Sequence, residues 1–383
     1  MTPEIFAAGA ALLVWVYLLL ARGAFWLCSE RDDWSSSPVA KWPAVTAIVP
    51  ARNEAGVIAG SIGSLGRQDY RGSWSIILVD DESSDETVAN AQRAVPEGCM
   101  LRVVSSRTVA TSWTGKLWAL KQGIDVALAI EPRPEYLLLT DADIFHPADS
   151  VSRLVRHAEG LCLVLTSLMV KLHCKSFAER ANVPAFVFFF QMLYPFRWIN
   201  RPSSSAAAAA GGCMLVRSDA LAKAGGIQAI GGALIDDCAL ARVLKRQGPI
   251  WLALTSRVLS MREYPKLADV RAMIARSAYA QLRYSPLLLA ATLAGMLLTF
   301  VVPVLMALFG SGLSRALGLV TWGIMAAAFQ PILRFYQLSP LWGFALPAIA
   351  LEYLVFTLDS AYAYARGRGG AWKGRMQAKV SES

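Results

Sequence analysis

Residues 45–54, VTAIVPARNE, decide the fold. A short apolar, β-branched run stops at Pro50, and Arg52 and Glu54 follow at once. β-branched residues fit a strand, and a run bounded in this way reads as a strand that ends there. The pattern recurs in IILVDDESSD at 76–85, which turns acidic at Asp80 and Asp81, and in YLLLTDAD at 136–143, which ends on Asp141 and Asp143. LRVV at 101–104 is a further strand, and polar helical stretches such as 54–66 and 84–94 lie between. Alternating strands and helices predict an α/β fold with a doubly wound, mostly parallel sheet. WTGK at 113–116 and LIDDCAL at 234–240 complete the set. Carboxylates that sit where apolar runs stop lie at the carboxyl edge of such a sheet, where nucleotides and metal ions bind.

The flanks place this chemistry at a membrane. Of the 383 residues, 55% are hydrophobic and only 17% charged, against about 45–50% and 25% in soluble domains. The excess collects at the two ends. Residues 5–27 form a nearly uncharged run, long enough to span. Glu4 precedes it, while Arg22 and Arg31 lie at its far end. With neither a basic leader nor a small-residue cleavage site, residues 1–29 read as a retained anchor with the N-terminus outside and the domain in the cytoplasm. A polar linker, 30–42, leads into a catalytic-sized domain at 43–285. Within it, the aromatic segment 183–199 is broken by Pro184, Gln191, Pro195 and Arg197. It is expected as a helix on the membrane interface, with a buried domain helix as the other reading. SSSAAAAAGG at 203–212 reads as a flexible loop. Stretches at about 286–309, 315–333 and 340–363 make up a C-terminal transmembrane region, 286–365, followed by a basic tail, 366–383. Three spans after a cytoplasmic domain would leave that tail outside, against the positive-inside trend. Either the rule fails or one segment is re-entrant or interfacial.

Net charge is +9. No basic run is interleaved with aromatics on a polar background, so nucleic acid is not the expected partner. Anionic lipid and diphosphates account for the sign, as does positive-inside bias. The six cysteines form no C-x-x-C pair and the three histidines no H-E-x-x-H spacing. A zinc site or disulfide framework is not expected.

Asp141 and Asp143, two apart after a strand, suit one hard cation such as Mg²⁺ or Mn²⁺, with His146 either a surface histidine or a residue supporting that site. Asp80 and Asp81 suit a nucleobase imide or a ribose hydroxyl, while Ser83, Ser84 or Asp85 suits the cap of the next helix. Lys116, after Gly115, suits a diphosphate at a helix start. Asp236 and Asp237 open an amphipathic helix. They read either as caps or as a general base for an acceptor hydroxyl. Arg283 and Tyr284, before the first C-terminal span, read as a phosphate or lipid contact or as an interface anchor. No G-x-G-x-x-G follows a strand, which argues against a dehydrogenase.

In this order, PARNE at 50–54, DDESSD at 80–85, Gly115–Lys116, DAD at 141–143 and DDCAL at 236–240 resemble the family 2 glycosyltransferases of the GT-A (Rossmann-like) fold, over roughly 43–285. The anchor, the aromatic segment and the C-terminal FYQLSPLW at 335–342 and GAWKGR at 370–375 are most similar to the hopene-associated glycosyltransferases of hopanoid-producing bacteria. Ceramide glucosyltransferases are more distantly similar. The resemblance implies a nucleotide-diphospho-sugar donor, with a UDP-sugar favoured, a divalent cation, a membrane lipid acceptor and a multi-pass protein of the bacterial inner membrane. It implies donor binding by Pro50, Ala51, Asn53, Glu54, Asp80, Asp81, Lys116, Asp141 and Arg283, and metal binding by Asp143 and Asp141. Asp237 matches the family's base aspartate, and Asp236 stands where the usual glutamate would. One departure matters: polymerising relatives carry Q-x-x-R-W, whereas this chain has AQLRY at 280–284. That favours transfer of a single sugar. The rival readings are a polyprenyl-phosphate or polysaccharide glycosyltransferase and, from another class, a non-catalytic lipid-binding or transport protein.

Overall fold

The computed structural model describes residues 2–34, 38–110 and 112–370. Of the basic tail, the part from 371 onward lies outside the described residues. Eight strands form one sheet: β1 (Val45–Ala51), β2 (Trp74–Asp80), β3 (Leu101–Ser105), β4 (Tyr136–Thr140), β5 (Ile144–Phe145), β6 (Leu165–Lys171), β7 (Cys213–Arg217) and β8 (Ile250–Ser260). Their order is β3-β2-β1-β4-β7-β6-β8-β5. β1 pairs in parallel with both β2 and β4, and β2 with β3. β7 runs antiparallel between β4 and β6, β8 lies parallel to β6, and β5 turns back along β8. The sheet is mostly parallel, as the alternation of elements implied, and the fold is GT-A.

In chain order the helices are α1 (Pro3–Leu20), α2 (Ile58–Gly66), α3 (Thr87–Ala94), α4 (Gly115–Leu128), α5 (Ser150–Gly160), α6 (Phe177–Leu193), α7 (Phe196–Ile199), α8 (Ser218–Lys223), α9 (Asp236–Leu244), α10 (Leu267–Ala275), α11 (Ala278–Gln281), α12 (Pro286–Met296), α13 (Val302–Phe309), α14 (Gly312–Phe335) and α15 (Trp342–Ala365). α2, α3 and α5 cover one face of the sheet. α4, α6 and α9 cover the other, and their apolar core continues into α1, α14 and α15. Because helices cover both faces, β1 is buried along its whole length, which is why it reads as a continuous apolar run.

Two local features shape the site. β1 pairs with β2 up to Ala51↔Asp80, but with β4 only up to Ile48↔Leu139. Pro50, which has no N–H to contribute to a ladder, sits beyond that last pair. β1 and β4 therefore part at their carboxyl ends, where the strand order reverses and a crevice opens. Beneath it, α4 approaches β1 and β2 at Gly123. A Cβ there would lie 2.5 Å from Ile48 Cγ2 and 2.8 Å from Val79 Cγ2.

Among the described residues four helices are long and apolar enough to cross a membrane: Pro3–Leu20, Pro286–Phe309, Gly312–Phe335 and Trp342–Ala365. The second combines α12 and α13 through a π turn at Leu297–Val301. Pro303 cannot donate to the Thr299 carbonyl four residues back. The indole Nε1 of Trp15 donates to it instead, at 2.9 Å.

Two segments differ from their sequence reading. The helix expected at the interface over 183–199 begins at Phe177, on a capping box of Ser176 and Glu179, and breaks before α7. Its aromatics meet protein: Phe188 packs on Phe25 and Phe329, and Phe189 on Phe300 and Tyr353. The flexible loop expected at 203–212 is instead fixed. Ala207, Ala208, Ala209 and Ala210 are buried, and Ala210 N donates to Ser167 Oγ of β6 at 2.9 Å.

Gly123→Ala is expected to lower the apparent melting temperature in detergent, since overpacking costs about 1–3 kcal/mol. Gly56→Ala, with nothing within 4 Å of its Cβ position, leaves it unchanged. Equal melting temperatures would remove the close approach as a constraint.

Candidate active site

The crevice at the carboxyl ends of β1 and β4 gathers most of the expected residues. Lys116, one residue inside α4, places Nζ 2.8 Å from Asp141 Oδ1 and 3.2 Å from Asp236 Oδ2. Asp237 Oδ2 accepts from the Gly211 N–H at 3.0 Å, and its Oδ1 from the Cys238 N–H at 2.7 Å. Thr114 caps α4, its Oγ1 accepting from Leu117 N at 3.4 Å. The cap fixes the start of α4, where Lys116 and the helix's positive end would together meet an anionic group.

A second cluster adjoins the first. Arg262, just past β8, donates from Nε to Asp143 Oδ2 at 2.9 Å and from Nη2 to Glu54 Oε1 at 2.6 Å. The sequence reading did not find Arg262. Its signal, a cation where an apolar strand ends, is the one used for the carboxylates, applied to the opposite charge. Gly211 was also missed, because a backbone donor within an Ala-Gly run leaves no side-chain mark.

Among the described residues the charges of these two clusters do not balance. Glu54, Asp141, Asp143, Asp236 and Asp237 face two cations, Lys116 and Arg262. Burial, then Asp236, push Asp237 up to about 6, against the pull of Lys116 and the two N–H groups. Asp141 is also raised, by burial first and then by Asp143 and Asp236, although Lys116 opposes them. Its carboxylate keeps 37% of its side-chain surface open to the crevice. Burial alone would lower Lys116, but Asp141 and Asp236 outweigh it and the ammonium is held well above its ordinary value.

The loops after β1 and β2 are clasped together. Asn53, in the left-handed region at φ 51°, accepts from Ser84 N at 2.8 Å, and its own N–H donates to Ser83 Oγ at 3.0 Å. Asp80 Oδ1 accepts from Ser83 N at 3.3 Å. Asp81 is fully buried, 3.7 Å from Arg52 Nη1. Capping falls to Asp85, which accepts from the N–H groups of Ala55 and Thr87. Pro50 and Ala51 line up with Val79 and Asp80 on the adjoining strand. His146 is a core residue: burial holds it neutral, down at about 3, and its Nε2 lies 2.9 Å from Thr140 Oγ1, one residue before Asp141. Arg283 is not brought to the cluster, since its side chain is exposed on a turn at φ 53°.

From Asp236 and Asp237 a cavity of about 360 Å³ runs down between α6 and the C-terminal helices, lined by Phe186, Phe189, Met296 and Phe300 among others. Its floor is acidic and its walls are apolar.

Residues 46–225 match the family model described as Glycosyl transferase family 2. Those residues form a glycosyltransferase family 2 domain. Its architecture is similar to that of a mannosyltransferase from Pyrobaculum calidifontis solved with GDP-Man and Mn²⁺, at 20% identity and a TM-score of 0.54, over 95% of this chain and 97% of that one. It is also similar to glucosyl-3-phosphoglycerate synthase from Mycobacterium tuberculosis solved with Mn²⁺, UDP-glucose and phosphoglyceric acid, at 18% identity and a TM-score of 0.42, over 67% and 87%. Mannosyl-3-phosphoglycerate synthase from Rubrobacter xylanophilus is a third, at 18% identity and a TM-score of 0.41, over 69% and 82%. No curated protein matches the chain in sequence.

The glycosyltransferase domain has residues that fit a divalent cation. Asp141 and Asp143 could supply hard oxygen ligands, and the crevice holds more negative charge than Lys116 and Arg262 offset. Among the described residues no group of three His, Cys, Asp or Glu side chains is arranged to hold a metal ion. A cation here would take two carboxylates and complete its shell with water and phosphate oxygens, as Mg²⁺ commonly does. Mn²⁺ with a nucleoside diphosphate is therefore expected to stabilise the protein by about 2.7 kcal/mol at a hundredfold excess over Kd, and so to raise the apparent melting temperature. Asp143→Asn should lose most of that rise, while Asp219→Asn, on the exposed α8, keeps it. A full rise in Asp143→Asn would move the cation elsewhere.

Proposed function

We propose that the protein is an inverting hexosyltransferase of a bacterial inner membrane. Facing the cytoplasm, it moves a sugar from a nucleotide-diphospho-sugar, with a UDP-sugar favoured, to the hydroxyl of a membrane lipid, in hopanoid or related glycolipid biosynthesis. One observation carries the reading: the cavity that starts at the Asp237 carboxylate is walled by residues of the apolar C-terminal helices. A hydroxyl at the end of an apolar body can reach Asp237 there without leaving lipid.

Asp237 takes the acceptor's proton as its oxygen bonds to the anomeric carbon. The bond from that carbon to the phosphate oxygen breaks on the opposite face, and its electron pair leaves with the nucleoside diphosphate. A value near 6 keeps Asp237 ionised at neutral pH yet more basic than an ordinary aspartate. The Gly211 N–H holds its Oδ2, and Asp236 raises its basicity. Lys116 meets the diphosphate, and Asn53, Glu54, Asp80 and Asp81 lie towards the nucleoside. Asp141 and Asp143 hold the cation, which when bound offsets charge on the leaving group. Arg276, which also lines the cavity, favours a second reading in which the acceptor is a polyprenyl phosphate.

Membranes containing the protein, given labelled UDP- and GDP-sugars, Mg²⁺ or Mn²⁺ and a hopanoid-rich lipid extract, test the proposal. Label should enter a neutral lipid, with a rate that climbs as pH rises through about 6 and then levels. Asp237→Asn should cost about 10²–10⁴-fold and lose that rise. Undiminished transfer by Asp237→Asn would exclude it as the base. Label in an acid-labile phospholipid would establish the second reading.

A further inference from the structure

We propose that α15 does not cross the membrane but lies flat in the interface on the catalytic side, so that the chain after Ala365 emerges beside the catalytic domain. A helix of 24 residues is about 36 Å long, enough to cross a hydrocarbon core of about 30 Å. If it crossed, one end would stand far from the domain. Instead both ends touch domain elements. At the first, Trp342 packs on Phe177, ring centroids 5.4 Å apart, and Phe177 follows Ser176, whose hydroxyl donates to the Tyr264 carbonyl beyond β8. At the last, Tyr364 stacks on Tyr284 at 4.3 Å.

The middle of α15 is tied to the same side. Glu352 accepts from Asn182 Nδ2 at 3.2 Å, and Tyr353 donates to the Asn182 carbonyl at 2.8 Å. Asp359 pairs with Arg271 of α10 at 2.7 Å, and Arg271 is half exposed. Ser360 Oγ accepts from Tyr279 N at 3.0 Å. A half-exposed guanidinium and its carboxylate belong in a polar layer, not in hydrocarbon.

The face turned away from the domain is apolar along its whole length. Phe344, Leu351, Val355, Leu358 and Tyr362 are exposed, spaced three, four or seven apart and so on one stripe. The lipid leaflet next to the domain is the partner this stripe fits. With α1, the α12–α13 helix and α14 as the spans, Arg22, Arg334, Arg366 and Arg368 all fall on the domain's side, and Arg315 lies near the far turn. That is the charge asymmetry of an oriented membrane protein, and it resolves the conflict that three C-terminal spans would create for the basic tail.

Site-resolved labelling of the full-length protein with a membrane-impermeant maleimide tests this without reference to activity. Cys162, exposed on the catalytic domain, marks the domain's side. Arg368→Cys reports on the end of α15, and Ser311→Cys on the turn between α13 and α14; both positions are exposed. In sealed vesicles of one orientation, the thiol introduced by Arg368→Cys should label together with Cys162. The thiol introduced by Ser311→Cys should label only in vesicles of the other orientation. If the two introduced thiols label from the same side, the proposal is overturned.

Discussion

An excess of negative charge in a partly closed crevice is the condition on which the rest of the site depends. Five carboxylates converge there because strands from distant parts of the chain end at one edge. Lys116 and Arg262 hold them together without neutralising them. Burial first, and then the neighbouring carboxylates, raises Asp237 and Asp141; the imbalance holds Lys116 charged and leaves the crevice suited to a cation bearing an anionic ligand. Removing either resident cation would alter every other group, so the charged residues behave as one unit.

The sheet and the long apolar helices form one body. The core beneath β1 and β4 continues through α6 into α1, α14 and α15, and the cavity opens within that continuity. Chemistry at the sheet edge and the apolar walls of the cavity therefore meet at Asp236 and Asp237. α6 makes this possible: one end is fixed by Glu179, which is held down at about 2 against its burial by Tyr264 N, His173 and the backbone of Ser176 and Lys175, and its aromatics fill the seam.

Much of the fold was legible because strands buried on both faces leave continuous apolar runs, and the acidic residues that end them stand out. Asp141, Asp236 and Asp237 stand out in this way and Lys116 by its place after Gly115 at a helix start, and the four lie together in the crevice. Arg262 was not, since its partners lie 119 and 208 residues away and no local pattern joins them. α6 was ambiguous for a different reason: a helix rich in phenylalanine reads the same whether it faces lipid or protein. The run at 203–212 misled because small residues signal freedom in solution but close packing beside a strand. Arg283 was read from its neighbours in sequence, and its side chain is exposed on a turn.

The indole of Trp15 on the Thr299 carbonyl makes the N-terminal helix more than a tether. Thr299 precedes Phe300, a wall of the cavity, and the carbonyl is left over by Pro303. A protein trimmed to Leu20 in the hope of a soluble enzyme would lose the donor that serves this break in the helix. Cutting away the N-terminal helix would therefore unpin the chamber proposed for the acceptor, and a trimmed enzyme should not be read as the native one set free.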